Sequence, residues 1–96
     1  MKYLLTATAF NADQRRTKDE NGEEIYCLYT TPLKSDMERQ LQEFKIHAAQ
    51  YKPDFILIST DTTASNAVRK FYCFTLATGK TKAITEIDFC TAMDND

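Results

Sequence analysis

The chain has 96 residues, of which 43% are apolar and 27% are charged, and its net charge is −2. This length predicts one domain, and these proportions are ordinary for a globular protein. The weak negative charge supplies no field that would favour nucleic acid or an anionic membrane. Three cysteines, an odd number at no metal-like spacing, favour reduced thiols in a cytoplasmic protein and indicate no metal site.

The first quarter of the chain predicts a hairpin with a long charged loop. Tyr3–Phe10 alternates loosely and is rich in β-branched and aromatic types, which indicates a strand. Residues 25–31 have the same character and are predicted to return beside it. Between these strands, residues 11–24 form a charged arm, in which Asn21-Gly22 is typical of a two-residue hairpin turn because both types accept positive φ.

The charged arm is open to two interpretations. It is either a solvated loop or an element that protrudes to contact a partner. The contact hypothesis assigns partner binding to Arg15, Arg16 and Lys18, which are predicted to be exposed. On either interpretation these side chains are dispensable for folding, because solvated charges contribute little to stability.

Residues 35–51 predict an amphipathic helix. Ser35 and Glu38 fit a capping box, in which each side chain bonds the backbone amide of the other residue. Apolar residues recur every third or fourth position and form one stripe of Met37, Leu41, Phe44, Ala48 and Tyr51. Leu41 and Phe44 centre this stripe and are predicted core residues. Pro53 ends the helix, because the residue before a proline disfavours helical angles.

The second half of the chain predicts strands at residues 54–60, 69–77 and 82–89. The first of these is apolar on both faces, which is typical of a central strand. The last is ambiguous, since Ile84, Ile87 and Cys90 would also suit a short helix. Residues 94–96 are predicted to be a frayed tail.

The predicted fold is a single α+β domain over residues 1–96, in the order β-β-α-β-β-β. Its single, mixed, mainly antiparallel sheet has four to five strands, with one amphipathic helix on one face. A helix about 10–12 Å across covers roughly half of a sheet about 20–24 Å wide. Part of one face and all of the other are therefore expected to stay open to a second copy, a partner or solvent. An apolar patch therefore stays open, and it is predicted to be a contact surface with Tyr29 or Tyr72 near its centre.

Residues 70–74, Lys-Phe-Tyr-Cys-Phe, begin with a basic residue and carry aromatics at alternate positions. With residues 25–28 as a companion strand, and a helix and a strand between, this pattern partly resembles RNA-recognition-motif domains. In that family, exposed aromatics of the sheet stack on bases. The resemblance implies single-stranded RNA or DNA binding by Tyr26, Lys70, Tyr72 and Phe74.

No catalytic motif is recognisable, and the sequence predicts a non-enzymatic protein without a cofactor. His47 is the single histidine, and no suitable cysteine pair accompanies it as a metal set. The leading hypothesis is a small intracellular module of the inhibitor type, in the style of phage or mobile-element accessory proteins. It would bind another protein, or a second copy in a homodimer, through the open sheet face and the arm. No apolar run approaches membrane-spanning length.

Overall fold

The computed structural model describes residues 1–94. It contains five strands and two helices: β1 (Tyr3–Phe10), β2 (Tyr26–Thr31), α1 (Lys34–Ala49), β3 (Phe55–Thr62), β4 (Lys70–Thr75), β5 (Lys80–Ile84) and α2 (Glu86–Met93). The predicted α+β class is confirmed, and so is the predicted order of the five strands and the long helix along the chain. The sheet is entirely antiparallel, and a short second helix is added to the predicted elements.

The strands lie in the order β2-β1-β3-β4-β5, and each neighbouring pair is antiparallel. β1 and β3 are central, whereas β2 and β5 are the two edges. β2 and β3 both run antiparallel to β1, so α1 connects two strands that are parallel to each other. This crossover connection therefore passes over β1.

The first face of the sheet, the α1 face, packs under α1. Ala7 of β1 pairs with Ile58 of β3, Leu5 lies two residues from Ala7 on the same face, and all three are buried. Met37, Phe44 and Ala48 of α1 pack onto them, whereas Leu41 and Tyr51 are partly buried at the rim. The predicted apolar stripe is thus confirmed as the side of α1 that meets the core.

The second face, the α2 face, has its own buried layer. Phe10 is fully buried, and its ring stacks on the ring of Phe55 with 5.3 Å between centroids. Phe71 is buried on the same face, and the ring of Phe89 in α2 lies 4.9 Å from its ring. The sheet is therefore covered in part on both faces, and the expectation that all of one face would stay open is wrong.

The predicted strand at residues 82–89 ends at Ile84, and the short helix that the sequence left open as an alternative is confirmed from Glu86 onwards. The Thr85 Oγ1 accepts a hydrogen bond of 3.1 Å from the Asp88 backbone amide, and this cap starts α2. Asp94 caps the other end of the helix and is not frayed, whereas residues 95–96 lie outside the described part of the chain.

The charged arm is folded against the body. Isolated bridges pair Phe10 with Arg16 and Lys18 with Glu24, and Thr17 between them is buried. The turn is a three-residue loop, since the Asp19 amide donates to the Glu23 carbonyl at 2.8 Å. Gly22 takes a φ of +79°, which glycine adopts without strain, so the predicted turn lies at the right place but is one residue longer.

The start of α1 differs from the predicted capping box. The helix begins at Lys34 with Leu33 as its N-cap, and no side chain caps it. Ser35 therefore lies inside the first turn and cannot take the predicted role. At the other end the helix stops at Ala49, two residues before the predicted end.

Asp36 connects the first turn of α1 to β2. Its Oδ2 accepts hydrogen bonds from the Tyr29 hydroxyl at 2.6 Å and the Thr31 hydroxyl at 3.0 Å, and its Oδ1 pairs with Arg39. The Tyr29 bond is the largest cause that holds the pKa of the Asp36 carboxyl below its usual value, followed by the bonds from Arg39 and Thr31.

The lowered pKa of Asp36 predicts a loss of stability in acid. A carboxyl with a depressed folded-state pKa stabilises the fold above its ordinary pKa of about 4 and loses that contribution as pH falls. We expect the urea concentration at the midpoint of unfolding to decrease when the pH is lowered past this value. In Asp36→Asn the decrease should be smaller. Glu20 also has a lowered pKa and keeps its contribution in the variant, so the difference between the two curves isolates Asp36. Equal acid sensitivity would contradict this role.

Candidate interaction surfaces

One stretch of the α1 face lies beyond the reach of α1. The helix packs over β1 and β2, at one side of the five-stranded sheet. Tyr72 of β4 lies beside Ile58 of β3, and Phe74 lies beside Ile56, so both aromatic rings continue the core outwards. They are half-buried, and beyond them the β5 residues Thr81 and Ala83 are exposed.

Lysines from the helix face this open stretch. Lys34 and Lys45 are eleven residues apart, which is close to three turns, so they lie on one side of α1. The Lys45 Nζ lies 4.2 Å from the centre of the Phe74 ring, a cation–π contact. Burial lowers the pKa of Lys45, because its ammonium is partly withdrawn from water.

The surface between α1 and β4, which we call the α1–β4 groove, is defined by Lys34, Lys45, Lys70, Tyr72 and Phe74. A cavity of about 240 Å³ at one end is lined by Tyr3, Lys34, Met37, Thr60, Asp61, Thr62, Val68 and Lys70. Lys70 also lines a second cavity of about 360 Å³ together with Arg69, Phe71, Tyr72, Ala83, Ile84 and Glu86. The groove thus carries three lysines on a protein of net charge −2, with Asp61 as an acid at one end.

The structure separates the two tyrosines predicted for the open patch. Tyr72 lies in the α1–β4 groove, as described. Tyr29 lies under α1, packs against the core and donates its hydroxyl hydrogen to Asp36. The prediction that Tyr29 occupies a surface that the helix cannot reach is therefore wrong.

The arm residues predicted to bind a partner differ in their surroundings. Arg15 and Lys18 are exposed, as predicted. The Arg16 side chain is only 19% exposed, its guanidinium lies 5.5 Å from the centre of the Phe10 ring, and its Nη2 donates to the Met93 carbonyl at 2.9 Å. The prediction that Arg16 is exposed is wrong, because this side chain joins the arm to the α2 face.

The residues implied by the RNA-recognition resemblance do not form one surface. Lys70, Tyr72 and Phe74 share the α1 face. Tyr26 pairs with Thr8 and lies on the α2 face, and its strand is separated from β4 by β1 and β3. Bases stacked on one sheet surface could not contact both sets, so the four-residue constellation is wrong although three of its members lie together.

A second exposed surface lies at the β2 edge. Tyr26 and Leu28 are 58% and 70% exposed and lie side by side on the α2 face, where α2 does not reach. The opposite edge, β5, carries Lys80 and Lys82, which are charges of the kind that discourage further strand pairing. β2 carries no charged residue and no proline over Tyr26–Thr31, so it lacks the residues that usually prevent an edge strand from pairing with another strand.

The three cysteines and the histidine lie on four different elements, with Cys27 in β2, Cys73 in β4, Cys90 in α2 and His47 in α1. Residues 1–94 contain no cluster of three or more His, Cys, Asp and Glu side chains that could hold a metal ion. The cysteines are free thiols, of which Cys27 is buried, Cys73 is half-buried and Cys90 is exposed. His47 is exposed beside the Tyr51 ring. No helix in this part of the chain is long and apolar enough to cross a membrane.

No protein-family model, no curated protein and no solved structure matches the chain.

Sequence reasoning missed the lysines on α1. Lys45 lies off the predicted apolar stripe, and Lys34 comes one residue before the predicted start of the helix, so neither was assigned a role. Their spacing of eleven residues was the available signal, because it places both side chains on one flank of a helix. Which flank faces the open part of the sheet follows only from how α1 sits on β1 and β2.

Proposed function

We propose that the chain is a non-enzymatic protein-binding module of the inhibitor type, and that the α1–β4 groove binds an acidic, apolar segment of a partner protein. The observation that carries this proposal is the placement of Tyr72 and Phe74 between Lys45 of the helix and Lys70 of the strand. By analogy of style with small accessory proteins of phages or mobile elements, we propose a cytoplasmic site of action.

The composition of the groove supports a peptide that combines carboxylates with apolar side chains. Aromatic residues in a concave setting are typical anchors of protein interfaces. Lysines around them attract a partner of opposite charge and disfavour a basic one. Lys45 is already partly dehydrated against Phe74, so binding removes less water from its ammonium than from a fully solvated one.

A second candidate function is single-stranded nucleic-acid binding at the same groove. Lys70, Tyr72 and Phe74 lie together on one face, and aromatics that accept stacked bases beside cations are what such a site requires. The net charge of −2 opposes this candidate, because it weakens attraction to a polyanion outside the groove. The two candidates differ in their dependence on salt.

The test is a selection of random displayed peptides on the immobilised protein, followed by titration of labelled peptides. We expect acidic peptides with aromatic or aliphatic residues to be enriched. Lys70→Glu should weaken their binding about tenfold or more, because it reverses a charge within the groove. Lys80→Glu is the matched control, since it makes the same charge change at an exposed position on the opposite face and should leave binding unaltered.

Two outcomes would count against the proposal. If no acidic peptide is enriched, or if Lys80→Glu weakens binding as much as Lys70→Glu, the groove is not the binding site. A labelled single-stranded oligonucleotide serves as the second probe. Binding to it that falls steeply with salt and is lost in Lys70→Glu would establish the nucleic-acid candidate in place of the peptide one.

A further inference from the structure

The open edge of β2 presents a defined set of backbone groups. The Ala9 amide donates to the Ile25 carbonyl at 3.1 Å, so the backbone carbonyl of Ile25 faces β1. In an antiparallel ladder the residues alternate between facing the neighbouring strand and facing away. Tyr26, Leu28 and Thr30 therefore direct their amides and carbonyls away from β1, to the free edge.

This edge is complementary to itself in one register. When two copies of β2 pair antiparallel about Leu28, Leu28 faces Leu28 of the second copy and Tyr26 faces Thr30. All three outward residues then form hydrogen-bonded pairs, without a charge or a proline among them. A shift by two residues in one direction places Pro32, which has no amide hydrogen, opposite Tyr26. The opposite shift sets the carboxylate of Glu24 against Thr30.

The position of α1 fits a second copy better than a lone peptide. The helix packs over both β1 and β2, so its axis lies between these two strands. With strands about 4.8 Å apart, pairing of two copies would set the two α1 axes about 10 Å apart, which is the usual distance between packed helices. A lone peptide strand at this edge would place no second helix beside α1 above the sheet.

The side chains above the edge are compatible with this arrangement. Asp36 lies beside Tyr29, to which it is hydrogen-bonded, and Gln40 lies beside the thiol of Cys27. Because the register pairs Cys27 with Tyr29 of the second copy, Gln40 of one copy lies level with Asp36 of the other. A carboxylate thus meets an amide and not another carboxylate.

From these features we propose that the chain forms a two-fold symmetric homodimer through antiparallel pairing of β2 with β2 about Leu28, which joins two sheets into one of ten strands. The proposal does not rest on the α1–β4 groove, because β1 and β3 lie between β4 and the β2 edge. Loss of the dimer in the variants below would leave the groove intact, and Lys70→Glu would leave the dimer intact.

The first test is the mass in solution by light scattering over a range of concentrations. We expect twice the chain mass of 11.0 kDa for the native protein. Leu28→Lys should raise the dissociation constant about tenfold or more, because it sets two charges against each other at the centre of the interface. Ile46→Lys is the matched control, since Ile46 on α1 and Leu28 are both 70% exposed, and it should remain a dimer. Circular dichroism checks that each variant is folded.

The second test reads the register by oxidation in a Cys73→Ser, Cys90→Ser background. Paired Leu28 residues would have Cα atoms about 5.5 Å apart, within the range that a disulfide spans. Leu28→Cys should therefore cross-link two chains. Thr30→Cys should not, because its position faces Tyr26 of the second copy and the two thiols would be about 13 Å apart. A native protein that is monomeric at every concentration, a dimer that persists in Leu28→Lys, or cross-linking at Thr30→Cys alone would overturn the proposal.

Discussion

Replacement of Phe44 by Ala is expected to lower the free energy of unfolding by about 3–5 kcal/mol. Phe44 is buried at the centre of the α1 stripe and packs with Leu5 and Ile58 of the sheet. Its removal leaves a cavity that the rigid backbones of helix and sheet cannot close. A small domain has about 5–15 kcal/mol of stability in total, so a urea titration should show a large shift of the midpoint.

Ile46→Ala is the control for this prediction. Ile46 lies two residues further along the same helix and is largely exposed, so its truncation should change stability by less than about 0.5 kcal/mol. A loss below about 1 kcal/mol for Phe44→Ala would mean that α1 does not pack on the sheet as described.

The second large effect is expected at Phe10, on the opposite face. Phe10→Ala removes a fully buried ring that stacks on Phe55, and we expect a loss of about 3–5 kcal/mol. Phe10→Leu retains most of the volume and should cost clearly less. Equal losses in the two variants would show that the aromatic stack, and not the filled volume, is what stabilises this layer.

Arg16 should be coupled to this ring. Arg16→Ala alone is expected to cost about 1–3 kcal/mol, since it removes a charged hydrogen bond to the Met93 carbonyl and a cation–π contact with Phe10. In a double-mutant cycle with Phe10→Ala, we expect a coupling energy of about 0.5–1 kcal/mol. A coupling energy of zero would mean that the Phe10 ring does not contribute to how Arg16 holds the arm.

The elements with strong local signals were predictable from the sequence. β1 has the predicted bounds, and α1 differs by one residue at its start and two at its end. Alternation and a helical stripe are properties of neighbouring residues, so they can be recognised without the tertiary structure. The capping box failed because Leu33 already has its carbonyl in the first helical turn, which places Ser35 too late to cap it.

The cover of the second face was harder to predict. α2 has eight residues, and its apolar side consists of little more than Phe89, Ala92 and Met93. Such a short segment gives a periodic pattern that a strand also satisfies. The exposed or buried state of Arg16 depends on this helix, because its bonding partner is the Met93 carbonyl. An error in one short element therefore carried over to the arm.

The members of the candidate site could be predicted one at a time, but their grouping could not. Tyr72 and Phe74 were recognisable as sheet aromatics. Their separation from Tyr26 and Tyr29 depends on the strand order, which places β1 and β3 between β2 and β4. Long-range pairing of this kind is set by the whole fold, and no local pattern in residues 25–31 or 69–77 encodes it.

The order of the elements along the chain has a consequence for synthesis. All five strands leave the ribosome before α2, yet α2 shields Phe71 and anchors Arg16. During translation the sheet can therefore assemble with one layer of its core still in contact with water. Such a nascent intermediate exposes apolar surface and is the stage at which a chaperone would bind or chains would aggregate. This exposure of apolar surface ends when α2 docks on the sheet.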